Sequence, residues 1–324
     1  MSEFSLPFQT ELSDAVKSGL EETDHGGNSV GILVLGDSGS GKTYANDMLA
    51  NCWEPYKVGE QLITPCLRLN VSAIGGTDSI PSAALAQMGR PVGTKIPNIE
   101  LVLIDALIIH RVRLILLEEF HNRLLSSKKE FRHSQGEFLK NLWNFVAPLA
   151  TRGWATPSSG NSPRKPVIVL SGLPQLLDPF ENDSELGSRF PIRIFANRLG
   201  MFPDSEFKDF RKVVREMSQR FELDGMVNPN DSDFVSRCFF ASSRRTGSGR
   251  LGCHLRELEV LFQRAATLRR RMKTTMEIIP LFEKAFQQVG STTGSNINPF
   301  SMATEEFLKL VADEKKRFDA LSRR

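Results

Sequence analysis

Val30-Gly31-Ile32-Leu33-Val34-Leu35, followed at once by Gly36-Asp37-Ser38-Gly39-Ser40-Gly41-Lys42-Thr43, decides how this 324-residue chain is read. The first six residues are an apolar, partly β-branched run, the signature of a parallel strand buried on both faces. The octet that follows is rich in glycine, which tolerates the dihedrals needed to turn successive backbone N–H groups toward one point. Tyr44 to Cys52 then reads as a helix, whose positive N-terminal end faces the same point. Strand, glycine-rich loop and helix in that order form a phosphate-binding loop. Gly36, Asp37, Ser38, Gly39, Ser40 and Gly41 supply the cradle. Lys42 is expected to reach the β- and γ-phosphates of ATP, and Thr43 to place its hydroxyl on Mg²⁺.

Such a site also needs an acid near the metal and a group that positions the attacking water, both at the C-terminal end of a neighbouring buried strand. Leu114-Ile115-Leu116-Leu117-Glu118-Glu119 meets that requirement. Glu118 takes the metal-side role and Glu119 orients or deprotonates the water. Aspartate is usual at the first position. Glu118 is one methylene longer, so slow hydrolysis is expected.

Further strands are read at Leu67 to Val71, Val167 to Leu170 and Arg193 to Phe195. Helices are read at Ser79 to Met88, Ile99 to His110 and along the stripe Phe138, Leu142, Phe145 and Leu149. Strands alternating with helices give an α/β fold, a parallel sheet flanked by helices. Residues 1–28 are polar and end in a loop signal, and Thr156 to Pro166 reads as an insertion rich in Pro, Ser and Gly. From about 225 the strand signal stops, and Asp231 to Phe240, Leu251 to Arg271 and Glu277 to Val289 read as a small C-terminal helical domain. The boundaries are 1–28 for an N-terminal segment, 29–224 for the core, 225–290 for the helical lid and 291–324 for a linker and basic tail.

A net charge of +3 does not by itself demand a nucleic-acid partner. Four cysteines lack metal-site spacing and suggest no disulfide framework. The most apolar stretch, Leu101 to Leu117, is interrupted by Asp105, His110, Arg111 and Arg113 and cannot span a bilayer. The chain reads as cytoplasmic, without a membrane partner.

His110-Arg111-Val112-Arg113-Leu114 through Leu117-Glu118-Glu119-Phe120-His121-Asn122 resembles the second nucleotide motif of the TniB/TnsC family, AAA+ ATPases that regulate DNA transposition. Ser171-Gly172-Leu173-Pro174 resembles that family's segment after the fourth strand. Glu185-Leu186-Gly187-Ser188-Arg189-Phe190 resembles its arginine-finger segment. The resemblance runs from about residue 28 to 260. It implies a P-loop AAA+ fold with a helical lid. It implies that Arg189, with Arg193 as a second candidate, enters a neighbouring subunit's site to offset charge on the transferring phosphate. Ser171 stands in for the polar γ-phosphate sensor that Leu173 cannot be. Arg250 or Arg256 senses nucleotide from the lid. The chain departs from the family at Glu118, at Leu173 and in the length of the Thr156 to Pro166 insertion.

The same resemblance implies a homo-oligomeric ring or helical filament around double-stranded DNA, contacted by loops that include Lys95, Lys128 and Lys129. Nine Lys or Arg against two acids between Arg244 and Lys273 add candidate phosphate contacts, with a solvated helix face as the competing reading. No base-reading motif is evident, so DNA contact is expected to be sequence-neutral. A transposase and a target-selection protein of the TniQ type are the implied partners. A helicase-loader or initiator-like AAA+ protein is the alternative within the class, and a P-loop kinase is a more distant one.

Overall fold

The computed structural model describes residues 6–74, 80–90, 98–126, 128–144, 164–246, 249–272, 276–289 and 298–323. Lys95, Phe145, Leu149, residues 156–163 of the Thr156-to-Pro166 insertion, and Lys273 therefore lie outside the described residues. The chain divides into two compact units. One holds Pro7–Gly36 and Lys42–Ala196; the other takes Asp37–Gly41 together with Asn197–Arg324.

The first unit is built on α1 (Pro7–Asp24), β1 (Val30–Leu35), α2 (Lys42–Asn51), β2 (Tyr56–Val58), β3 (Gln61–Ile63), β4 (Cys66–Asn70), α3 (Ile80–Gln87), α4 (Ile99–Ile109), β5 (Leu114–Glu118), α5 (His121–Leu124), α6 (Lys129–Asn144), β6 (Val167–Gly172), α7 (Leu177–Asn182), α8 (Ser184–Arg189) and β7 (Ile192–Phe195). Five strands form a parallel sheet in the order β4-β5-β6-β1-β7. The five sheet strands fall within a residue or two of the runs read from sequence. Every residue of β1, β5 and β6 is buried, as near-continuous apolar runs require in a sheet covered on both faces.

Alternate residues of the strands point to opposite faces. On one side Leu33, Leu35, Leu67, Leu69, Ile115, Leu117, Ile168 and Leu170 join one buried cluster with Leu85, Leu107, Phe138 and Leu139 from α3, α4 and α6. On the other lies α1, which buries Phe8, Leu12, Val16 and Leu20 and brings Gly19 against Val30 and Val167. Residues 1–28 read as polar because those four apolar residues are set among charged and hydroxyl side chains. Their spacing of four puts them on one stripe, and the sheet face supplies the partner that makes the stripe a helix.

The second unit contains α9 (Asp204–Arg220), α10 (Ser232–Ser242), β8 (Ser243–Arg245), β9 (Leu251–Cys253), α11 (Leu255–Arg271), α12 (Ile278–Val289) and α13 (Thr304–Ser322). Its core is aromatic: Phe210 meets Phe239 edge-on at 5.4 Å, and Phe282 meets both Phe234 and Phe262 at 5.0 Å. The α13 helix is held by buried Phe307 and by the Arg245–Glu314 ion pair at 2.8 Å. One sequence reading is corrected here. Strand structure does not stop at 225, because β8 and β9 pair as an antiparallel hairpin. The helix read from Leu251 begins only at Leu255. Gly249, in the left-handed region at φ +80°, turns the chain back so that Leu251–Cys253 satisfies its backbone against β8.

All four cysteines are free thiols. Burial pushes Cys66 and Cys253 up to about 12, which makes both poor nucleophiles. Among the described residues, no helix is long and apolar enough to cross a membrane.

Gly31 allows the closest approach within the first unit. A Cβ there would lie 2.2 Å from the Arg189 carbonyl oxygen and 2.5 Å from the Phe190 ring. We expect Gly31→Ala to cost about 1–3 kcal/mol, the range for overpacking a core. Urea unfolding monitored by circular dichroism checks this, and an unshifted midpoint would refute the packing described.

Candidate functional site

The sheet brings several residues singled out from sequence to one edge because all five strands run parallel and their C-terminal ends coincide. Gly36 N donates to Gly172 O at 3.1 Å, joining the start of the glycine-rich loop to the end of β6. Ala196 N donates to Leu35 O at 2.7 Å on the other side. Lys42 is buried at the start of α2, and its Nζ donates to Gly36 O at 2.6 Å. Thr43 follows it in the first turn and is exposed.

Glu118 is the last residue of β5, one strand removed from β1. Its buried carboxylate accepts from Arg68 Nε at 2.5 Å, and Arg68, on the neighbouring β4, also pairs with Asp47 of α2. Burial alone would pull the Arg68 guanidinium down; the bonds and charges of Glu118 and Asp47 outweigh it and move it up. Arg68 was not anticipated. The signal for it was a charged residue in the otherwise apolar alternation Cys66-Leu67-Arg68-Leu69, opposite a strand ending in two glutamates.

Glu119 adopts φ +56°, a left-handed conformation that costs a residue with a Cβ about 1–2 kcal/mol. Such strain concentrates at functional sites. The next residue, Phe120, donates its N–H to Ser171 O at 3.0 Å, and the Glu119 carboxylate lies 3.5 Å from His121 Nδ1. Burial lowers the His121 imidazole, Glu119 opposes this, and the Lys42 ammonium lowers it further. The two blocks Glu118-Glu119-Phe120-His121 and Ser171-Gly172-Leu173, about fifty residues apart in sequence, are thus joined here. Ser171 Oγ is buried and accepts from Asn46 Nδ2 of α2 at 3.2 Å.

A hydroxyl at Thr43 and a carboxylate at Glu118 are the oxygen donors that Mg²⁺ takes. Among the described residues no cluster of three His, Cys, Asp or Glu can hold a metal. Thr43 and Glu118 nevertheless fit the ion in kind, although Glu118 already shares its charge with Arg68.

Within the second unit the loop tip has its own contacts. Gly39 and Gly41 sit at φ +78° and +96°, and a Cβ at Gly39 would lie 2.3 Å from the His254 ring. Leu255 N donates to Gly39 O at 3.0 Å, and Arg198 Nε donates to Ser38 O at 3.0 Å. Neither Arg198 nor His254 carries a local sequence signal, since both reach the loop only through the fold of this unit. Of the two arginines expected from sequence to sense nucleotide, Arg250 is held by Glu206 at 2.7 Å and lies over the Phe318 ring, whereas Arg256 is exposed in the first turn of α11.

Arg189 ends α8. Its Nη2 donates to Glu185 at 2.7 Å, its guanidinium lies 5.3 Å from the centre of the Trp143 ring, and Nη1 is buried without a hydrogen-bond partner among the described residues. Lys140 pairs with Glu185 and Asp183 at 3.1 and 3.0 Å, extending this network. Lys128 and Lys129 are exposed at the start of α6. In the basic segment, Arg244 pairs with Glu257, Arg245 with Glu314, Arg250 with Glu206 and Arg270 with Glu222. Much of that charge is therefore used inside the unit.

No family model matches the chain, and no curated protein matches it in sequence. Solved structures do. The Aeropyrum pernix ORC2 protein in ADPNP–ADP complexes superposes with a TM-score of 0.59 at 17% identity, covering 94% of this chain and 72% of that one. The ADP form of the same protein gives 0.53 at 16%, covering 89% and 71%. Cdc6p from Pyrobaculum aerophilum gives 0.58 at 11%, covering 89% and 69%. The fold is the AAA+ α/β P-loop fold. At these identities the likeness speaks for the fold alone.

Burial, with the charges of Arg198, Arg244 and Arg256, lowers His254 to about 4, and its Nδ1 lies 4.0 Å from the Glu257 carboxylate. Between pH 4 and the ordinary 6.5 the unfolded chain holds a proton that the folded chain does not. The stability contributed by neutral His254 is thus complete above 6.5 and is lost as the pH falls toward 4. Glu257, which burial pushes up, is common to both proteins compared. We expect His254→Gln to flatten stability against pH in that window by up to about 1 kcal/mol per pH unit. Urea midpoints from pH 4 to 7 measure it, and parallel profiles would contradict the burial.

Proposed function

We propose that this chain is an ATP-dependent AAA+ switch that assembles as a homo-oligomer on double-stranded DNA and regulates transposition by recruiting or activating a transposase. The observation that carries the nucleotide reading is the placement of Lys42, Glu118 and Glu119 at one edge of a parallel sheet, with the glycine-rich loop tied to β6 through Gly36 and Gly172. Open parallel sheets favour ligands at the carboxyl ends of their strands. The ORC2 neighbour, by its description, holds ADPNP and ADP. The transposition reading rests on the Glu118 to Asn122 and Glu185 to Phe190 motifs. The working boundaries are 29–224 for the ATPase core, 225–290 for the lid and 291–324 for the tail.

In this reading the backbone of Gly36 to Gly41 cradles the phosphates and Lys42 neutralises them. Mg²⁺, when bound by Thr43 and Glu118, would offset charge on the β- and γ-phosphates. Glu119 orients the attacking water, while Ser171 and lid Arg256 or Arg250 sense the nucleotide. Arg189 acts in trans. To do so it must leave Glu185 and Trp143, so subunit contact and hydrolysis are coupled. ATP binding assembles the oligomer on DNA, with Lys95, Lys128 and Lys129 as candidate phosphate contacts, and hydrolysis dissolves it. A TniQ-type protein would select the target. An initiator-like role is the second reading, favoured by the fold match to ORC2 and Cdc6p.

Lys42→Ala should abolish ATP binding and ATP-dependent assembly. Fluorescent-nucleotide titration and light scattering test this, and intact ATP affinity would refute the site. Arg189→Ala should leave nucleotide affinity within about twofold but lower turnover in the assembly by 10³ or more, as loss of an arginine finger does. Unchanged turnover would place the trans residue elsewhere. Rings or filaments seen by negative stain only with ATP and duplex DNA favour the switch. Activation of a cognate transposase separates transposition from initiation.

A further inference from the structure

The residue beside the metal-side acid is not neutral. Arg68 lies on β4 and reaches Glu118 at the end of β5 with its Nε, 2.5 Å from Oε1. A second carboxylate, Asp47 on α2, pins the same guanidinium. Asp47 stands five residues after Lys42, on the helix that opens with the phosphate-binding lysine. The bridge therefore ties the phosphate-loop helix to the strand that carries both acids. It also gives Glu118 a cationic partner, shared with Asp47, before any metal arrives. Glu118 has 4% of its side chain exposed, so the pairing acts where water screens little.

A divalent cation in this place meets two obstacles. The Arg68 bond occupies one of the two carboxylate oxygens, and the guanidinium repels a second positive charge nearby. Three-methylene Arg68 cannot withdraw easily, because Asp47 holds it from the other side.

We propose that Arg68 is a positioning residue that sets the metal dependence of this nucleotide site, holding Glu118 in an ion pair with β4 and α2 so that nucleotide binding gains little from Mg²⁺. The proposal rests on reading Gly36 to Thr43 as an ATP site. It places the longer side chain of Glu118 in a physical context: the extra methylene lets the acid meet Arg68 across the strand ends. Metal and nucleotide are then weakly coupled, and by linkage nucleotide raises metal affinity only by the same small factor.

The test is the coupling ratio, the affinity for a fluorescent ATP analogue in saturating Mg²⁺ divided by that in EDTA, measured on the full chain. Mn²⁺ binding to the ADPNP complex, followed by electron paramagnetic resonance, gives a second readout independent of turnover. Arg68→Gln removes the charge and nearly keeps the volume; it should raise the ratio about tenfold and tighten Mn²⁺ equally. Asp47→Asn removes the contact that keeps Arg68 from withdrawing and should raise the ratio several-fold, which keeps the test decisive if Arg68→Gln does not fold. A wild-type ratio already above a hundred, or unchanged ratios in whichever variants fold, would overturn the proposal while leaving the ATP site intact. Failure of wild-type protein to bind nucleotide in either buffer would instead overturn the site itself, and the proposal with it.

Discussion

The hydrogen bond from Gly36 N to Gly172 O holds the glycine-rich loop to the end of a strand fifty residues downstream of the acids. It is a backbone bond at the edge of a parallel sheet, where the ladder runs out and the last groups must find other partners. β1 depends on it for a fixed end, Lys42 depends on that end because its ammonium binds Gly36 O, and the next strand over delivers Glu118 and Glu119 to the same edge. The two apolar layers serve this constraint. They bury both faces of the sheet, so the strands cannot slip in register without moving side chains to the wrong side.

Charge at this edge is arranged in pairs. Lys42 and Glu119 both bear on His121, and Arg68 joins Glu118 to Asp47. Buried ions need such partners, because an unpaired charge away from water costs several kcal/mol. The arrangement has a consequence for chemistry: groups that would meet a triphosphate and its metal are already engaged with one another. Arg189 follows the same rule at the end of α8, where Glu185 and Trp143 hold it within its own chain. In the proposed function, ligand or neighbour would be met by an exchange of these partners.

Much of the architecture was legible in the residues. The five sheet strands and most helices follow from apolar runs and from spacings of three and four, signals that are local and strong. The polar-looking N-terminus hid α1, since a stripe of four apolar residues becomes a helix only with a surface to cover. The β8–β9 hairpin was missed because two three-residue strands carry too little pattern to outweigh the helical stretch that follows.

The phosphate loop, the paired acids and the individual strands of the sheet were determined by the sequence itself, because each needs only neighbouring residues of the right type in the right order. Tertiary structure alone decided that Arg68 neutralises Glu118, that His254 and Arg198 touch the loop tip, and that Arg189 is latched by Glu185 and Trp143. The physical reason is range. Backbone propensity and periodicity act over a few residues, whereas charge pairing and steric contact depend on which distant strands and helices the fold brings within a few ångströms.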